Sequence, residues 1–408
     1  MAISRNRLLP AALLLTMAAL LSPQAYAQTT TWEFTTMADS SAELAFFSIP
    51  AVNDAGQIAF VATFDDGASG QAVYRRESNG ILTVIADTSG PIASFSGDPS
   101  INASGLVTFA ATLDSGSRSV LCGNGGALLT IANTVADGLT SIDSKPFISD
   151  TGGVVVVRAV RSADGARVIL QGAGAGAPTT LLDSTGLYDP QDVAGINGSG
   201  VVAFEALDGT GATGVYRRTE AGVVTPIAVT SALGFTSVEA LDINNNGTVV
   251  FFTDTAAGVA DLSVDTTGTP VSFASTQGTP FVSFGPAAVA ESGAVAFRGT
   301  FAGGLDGIFA GGTGLYEKAI ALGDTLDGSP VTALDTGPQA NANPGPFVFR
   351  AGRVNGTTGI YLAIPNFSDG GGGGGGAFDP ASIALLLLAS GLSLRTRRVR
   401  VAGGRFGR

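Results

Sequence analysis

Few residues of this chain carry chemistry in their spacing. Asp242, Asn244, Asn246 and Gly247 read Asp-x-Asn-x-Asn-Gly, the opening of a calcium-binding loop. The twelfth position of such a loop needs a bidentate Glu, and here it is Thr253. A tight turn accounts for the same residues, so no calcium is expected. Arg75-Arg76 and Arg217-Arg218 each follow a Tyr. Paired guanidinium groups suit an anion or a carboxylate, and a repeated surface strand explains them equally well. Carboxylates gather at Asp65-Asp66, Asp242, Asp254, Asp324 and Asp327. A glycosidase needs two at a fixed separation in one pocket, whereas acids scattered over loops are solvated charges. No catalytic, cofactor-binding or metal-ligating residue is therefore assigned, and no cofactor is expected.

Absences narrow the chemistry further. The chain has no histidine, which removes imidazole as base, acid or metal ligand. Cys122 is the one cysteine, so neither an intramolecular disulfide nor a cysteine-based zinc site can form. It follows Val-Leu in a strand-like run and is expected to be a buried apolar thiol. Between the termini, residues 28–368 carry 13 basic and 31 acidic residues, a net charge near −18. That balance argues against nucleic acid and anionic lipid as partners. Trp32 is the sole Trp, and most aromatics are Phe at a repeated position, so no exposed sugar-stacking platform is legible.

The elements that would position any site come from a repeat. Asn53-Asp54-Ala55-Gly56 with Phe60 returns as Asn102 to Gly105 with Phe109, and as Ser149 to Gly152 with Val156. It returns again as Asn197 to Gly200 with Phe204, and as Asn244 to Gly247 with Phe251. Degenerate copies are Ala290 to Gly293 with Phe297, and Asn341 to Gly345 with Phe349. The glycines are spaced by 49, 47, 48, 47, 46 and 52 residues, so seven copies share one period. Asn bonds backbone two residues on and Gly supplies a positive φ, which makes a tight turn. An alternating strand follows with its Phe at a fixed distance, as in Gln57 to Ala62.

Each unit continues in step. A second strand centres on Gly/Ala-hydrophobic-Tyr/Phe, as in Ala72-Val73-Tyr74 and Gly214-Val215-Tyr216. A third follows a Gly turn, as in Leu82 to Ala86, and a fourth ends at the next Asn, as in Val238 to Asn244. Four short strands per unit is the period of a propeller blade. The expected fold is an all-β, seven-bladed β-propeller over residues 28–364. Trp32 to Asp39 matches an outer strand, and the last unit stops near Ile364 without one. The N-terminal strand is therefore expected to close the last blade, which removes exposed sheet edges.

In this motif the chain resembles bacterial tandem-repeat proteins named for an Asn-x-x-Gly-x-x-Ala-Phe repeat and for their choice of C-terminal anchors. It departs from the motif at Ser149, Val156, Ala290 and the last copy. The resemblance implies architecture and destination and carries no activity. The layout is also similar to the periplasmic propeller repeat of the Tol system. That likeness implies that the strand before each Asn lines a central channel and that the third strand after the turn is outermost.

The two ends read as addresses. Residues 1–27 have Arg5 and Arg7, an apolar run from Leu8 to Leu21, and Ala25-Tyr26-Ala27, the three parts of a cleaved signal peptide. At the other end, 365–376 is a linker ending in seven glycines. Residues 377–394 are an apolar segment that would reach about 27 Å as a helix, the depth of a bilayer core. Residues 395–408 are basic, and Arg395, Arg397, Arg398 and Arg400 hold that end in the cytoplasm. This tail resembles the tripartite sorting signals of Gram-negative bacteria, most nearly the GlyGly-CTERM type, which implies a rhomboid-like processing protease. An ordinary transmembrane anchor predicts the same topology.

The expectation is thus an exported propeller at the cell envelope or surface, released after processing or held by its C-terminal transmembrane helix. It would act as a non-enzymatic binding or structural module. Its partners would be a sorting or processing protease, an extracellular ligand and the membrane, with nucleic acid excluded. The alternative is a secreted hydrolase or lyase of extracellular polysaccharide, which would need carboxylates converging at one mouth of the channel.

Overall fold

The computed structural model of the chain describes residues 30–367 apart from Ala42, 66–69 and Ala175. The expected signal peptide, glycine run, apolar segment and basic tail lie outside the described residues. What is described is a ring of seven antiparallel sheets, a seven-bladed β-propeller. Blades 1 to 6 span 44–87, 92–133, 139–183, 189–229, 235–275 and 281–321; blade 7 combines 325–367 with 30–39. Among the described residues the one helix is a single turn, Thr230–Leu233, ended by Gly234 at φ 71°. No helix among them is long and apolar enough to cross a membrane.

Each blade follows the repeat. The innermost strand leads to the motif turn, the second strand carries the motif Phe (Val156 in blade 3), and the third carries a Tyr or Phe in blades 1, 4, 6 and 7. In blade 4 these are Asp189–Ile196, Val202–Leu207 and Thr213–Arg218, with Val224–Val229 outermost. The motif glycine at 200 sits at φ 73°, the left-handed conformation that the turn demands. Each disc face is thereby defined. The Asn turns lie on one side, called here the turn side; the links from outer strand to next blade lie on the other, the link side.

The repeated aromatics form the core. Phe60, Phe109, Phe204, Phe251, Phe297 and Phe349 are all at most 1 % exposed. Phe204 pairs across strands with Tyr216 and stacks on it at 5.6 Å; Phe60 and Tyr74 do the same at 5.6 Å, Phe349 and Tyr361 at 5.5 Å. Cross-strand aromatic pairs are favourable because strand geometry holds opposed side chains in contact.

Ring closure follows the expected route. Thr30–Asp39 pairs antiparallel with Thr358–Phe367, from Thr30 opposite Phe367 to Asp39 opposite Gly359. Trp32 meets Phe347 edge-on at 5.3 Å and Phe34 meets Phe349 at 5.9 Å, while Met37 is buried in the core it shares with Phe60. The last strand runs three residues beyond the expected boundary at 364, because Thr30 to Trp32 offer backbone partners to 365–367.

Candidate functional site

The central channel is where all seven blades meet, and the motif Asn residues build its turn-side end. Asn53 Oδ1 accepts the N–H groups of Ala55 at 3.1 Å and Gln57 at 3.0 Å, which is the expected turn. Its Nδ2 does something the sequence reading did not find. It donates to the Asn102 carbonyl of the next blade at 2.8 Å. Asn102 donates likewise to Ser149 O (3.4 Å), Asn197 to Asn244 O (3.2 Å) and Asn244 to Ala290 O (2.8 Å). Where Ser149 replaces Asn, its hydroxyl donates to Asn197 O at 3.0 Å. The available signal was the choice of Asn over Asp: both cap the turn, and only the amide has hydrogens to reach across.

The residues just after the motif Asn bring carboxylates together. Asp54 of blade 1 accepts the Asn343 N–H at 2.7 Å, and Glu291 of blade 6 accepts the Asn245 N–H at 2.8 Å. Asp150 of blade 3 accepts the Ala103 N–H at 3.0 Å and the Asn245 amide at 2.5 Å. Burial pushes the Asp54 and Glu291 carboxyls above their usual range; the Asp150 charge adds to both shifts, and that of Asp54 adds to Glu291's. With Asp242 they line a cavity of about 70 Å³ whose wall includes Ile101, Ile148, Ile196 and Ile243, each ending an innermost strand. That volume holds a few waters, and ligand pockets run to roughly 300–1,000 Å³. Among the described residues no three metal-ligating side chains are grouped to hold an ion.

The suspected calcium loop is a turn. Asp242 is 3 % exposed and points away from its own turn, accepting the Val289 N–H of blade 6 at 3.0 Å. Burial pushes its carboxyl up to about 7, against the opposing pull of N–H groups from Val289, Ile243 and Gln339. Asn244 caps the turn through the Thr248 N–H, and Asn246 donates to Glu291 O, so the three side chains diverge.

The arginine pairs are likewise spent on structure. Arg75 joins Glu77 at 2.7 Å and reaches the Gly105 carbonyl of blade 2, and Arg217 joins the buried Asp265 of blade 5. Arg76 contacts the Met37 sulfur and Arg218 the Thr219 carbonyl. They bridge strands and blades and form no open anion patch. Of the other acids, Asp65 is exposed, Asp254 accepts from Ser237, Asp324 pairs with Lys318, and Asp327 bonds Thr36 and Arg353. They do not converge. Asp66 lies outside the described residues. Cys122 is buried, which pushes its thiol up to about 12 and leaves it unreactive.

A second group of acids, not singled out from the sequence, lies toward the link side. Burial pushes Glu205 up to about 7, and the charges of Asp192 and Glu239 add to it. Asp192 pairs with Glu205 across two strands of blade 4, and Glu239 belongs to the innermost strand of blade 5. Asp98 accepts the Ile49 N–H at 2.9 Å. Asp98, Lys145 and the prolines 50, 99, 146 and 338 line a cavity of about 20 Å³. Gln339 lines both this cavity and the larger one, so it stands between the two ends of the channel.

The architecture places the chain among the β-propellers. The propeller domain of the Trilobed protease from Pyrococcus furiosus, which has an open velcro topology, is similar over 80 % of this chain and 99 % of that one. Its TM-score is 0.54 at 8 % identity. A prolyl endopeptidase matches over 80 % of this chain and 51 % of its own, with TM-score 0.53 and 12 % identity. The acylaminoacyl peptidase of Pyrococcus horikoshii matches over 78 % and 51 %, with TM-score 0.52 and 10 % identity. The chain spans about half the length of those two peptidases. At such identities the likeness is one of fold, and fold does not carry activity. No protein-family model and no curated protein matches the chain.

Proposed function

We propose that the chain is an exported β-propeller, carried to the cell envelope or surface by its terminal segments, that acts there as a non-enzymatic binding or structural module. One observation carries the non-enzymatic part. Carboxylates do converge at one mouth of the channel, as the hydrolase alternative requires. Yet Asp54, Asp150 and Glu291 each hold backbone N–H groups of other blades, and the cavity they line is about 70 Å³. An acid fixed by such bonds is a structural tie, and a sugar ring does not fit the space. Ligands are left with the two disc faces. Fractionation of cells making the full chain, or a form ending at Asp369, tests the destination: the full chain should follow the membrane or surface and the short form the periplasm or medium. Mass spectrometry of the mature C-terminus then separates the sorting tail from a plain anchor, since an intact Arg408 on surface protein sinks the sorting reading.

A second reading keeps one specific foothold. Glu205, held near neutrality beside Asp192 and Glu239, has the protonation of a general acid with carboxylates next to it. Purified protein should leave a panel of extracellular polysaccharides uncut. Cleavage that disappears in Glu205→Gln would replace the binding-module reading with a hydrolase.

A further inference from the structure

The Asn belt has a gap, and an insertion fills it. Motif side chains tie blade 1 to blade 2 and so on to the Ala290 carbonyl of blade 6. Ala290 itself has no side-chain amide to pass on. Asn341 of blade 7 turns back instead, donating to the Ala294 carbonyl of blade 6 at 2.9 Å. Among the described residues no side-chain amide of a motif Asn therefore spans the joint from blade 7, the blade that unites the chain's two ends, to blade 1; there the Asp54 carboxylate accepts the Asn343 N–H instead. The preceding unit is the long one, with its glycines 52 residues apart against 46 to 49 elsewhere.

The extra length carries Gly337-Pro338-Gln339 into the channel. Gln339 is one of two non-glycine residues at positive φ among the described residues, at 56°, a conformation disfavoured for a residue with a Cβ. It is held by contacts to three other blades. Its carbonyl accepts the Val52 N–H of blade 1 at 2.8 Å, and its side-chain Oε1 accepts the Ser100 hydroxyl of blade 2 at 2.6 Å. Its own N–H points to the Asp242 carboxylate of blade 5. Ser100 Oγ in turn accepts the Ile148 N–H of blade 3 at 3.0 Å.

We propose that the 336–346 segment is an internal latch, which closes from inside the channel the joint between blades 7 and 1 and stoppers the channel at Gln339. A surface insertion would have no reason to spend an unfavourable backbone conformation on contacts to three other blades. The latch also gives the channel two blind ends, so the disc has two separate concave faces and no passage between them.

Hydrogen exchange on the full-length protein in detergent tests this. Ser100→Ala removes the hydroxyl, and Gln339→Asn keeps a residue that tolerates positive φ but shortens the reach to Ser100. Each should speed exchange of the Val52 amide about three- to tenfold, the worth of one hydrogen bond. The Ala203 and Phe204 amides of blade 4 should stay within twofold of wild type. Unchanged Val52 exchange in both folded variants overturns the latch. So does a uniform rise across all blades, or failure of both variants to fold, since either makes the segment part of the general core.

Discussion

Asp242 gives the sharpest quantitative prediction, because a fully enclosed carboxylate makes stability depend on pH in a defined direction. Its folded-state value of about 7 lies above the ordinary 3.8. The folded protein therefore holds the proton more tightly than the unfolded chain does. Stability from this group is fully present below pH 4, falls as pH rises from 4 to 7, and is flat above. The distance from 3.8 to about 7, at about 1.4 kcal/mol for each pH unit, makes the buried charge cost about 4 kcal/mol. Asp242→Asn keeps an oxygen for the Val289 N–H and cannot ionise. Its amide hydrogens must find acceptors in the channel, which takes back roughly 1–3 kcal/mol. At pH 8 the variant should be about 1–3 kcal/mol more stable than wild type, and near pH 4 it should be less stable. Urea unfolding between pH 4 and 8.5 measures this, with the difference curve isolating Asp242 from Glu205, which titrates in the same range. Parallel curves for wild type and variant, or a variant less stable at pH 8, would refute the reasoning.

Three further outcomes are expected. Phe204→Ala should cost about 3–5 kcal/mol, read as a fall in urea midpoint, because it opens a void against Tyr216. Asn197→Asp keeps the turn acceptor and loses the cross-blade donor. It should destabilise the protein by about 1–2 kcal/mol in urea unfolding, and equality with wild type would reduce the belt to a coincidence of turns. Deleting 30–39 bares the Thr358–Phe367 edge and uncovers Phe347 and Phe349. Light scattering should then report association or aggregation where the closed ring stays monodisperse.

The sequence by itself determined everything with a short period. Turn chemistry and strand alternation act within a few residues, so Asn-x-x-Gly and the Phe after it announce the innermost turn and second strand of each blade without knowledge of any partner. Counting seven such turns decided the blade number, and an unmatched outer strand at Trp32 decided how the ring shuts. What only the tertiary structure decided are contacts between residues far apart in the chain. Nothing local in Asp54, Asp150 or Glu291 says that they face one cavity; they meet because the innermost strands converge on one axis. Arg75 and Arg217 look like free cations until the neighbouring blade supplies the Gly105 carbonyl and Asp265. The long last interval was visible as a number, but its use was not. A loop's length is fixed along the chain, whereas the groups that receive Gln339 come from blades 1, 2 and 5 and take their places only when the ring is complete.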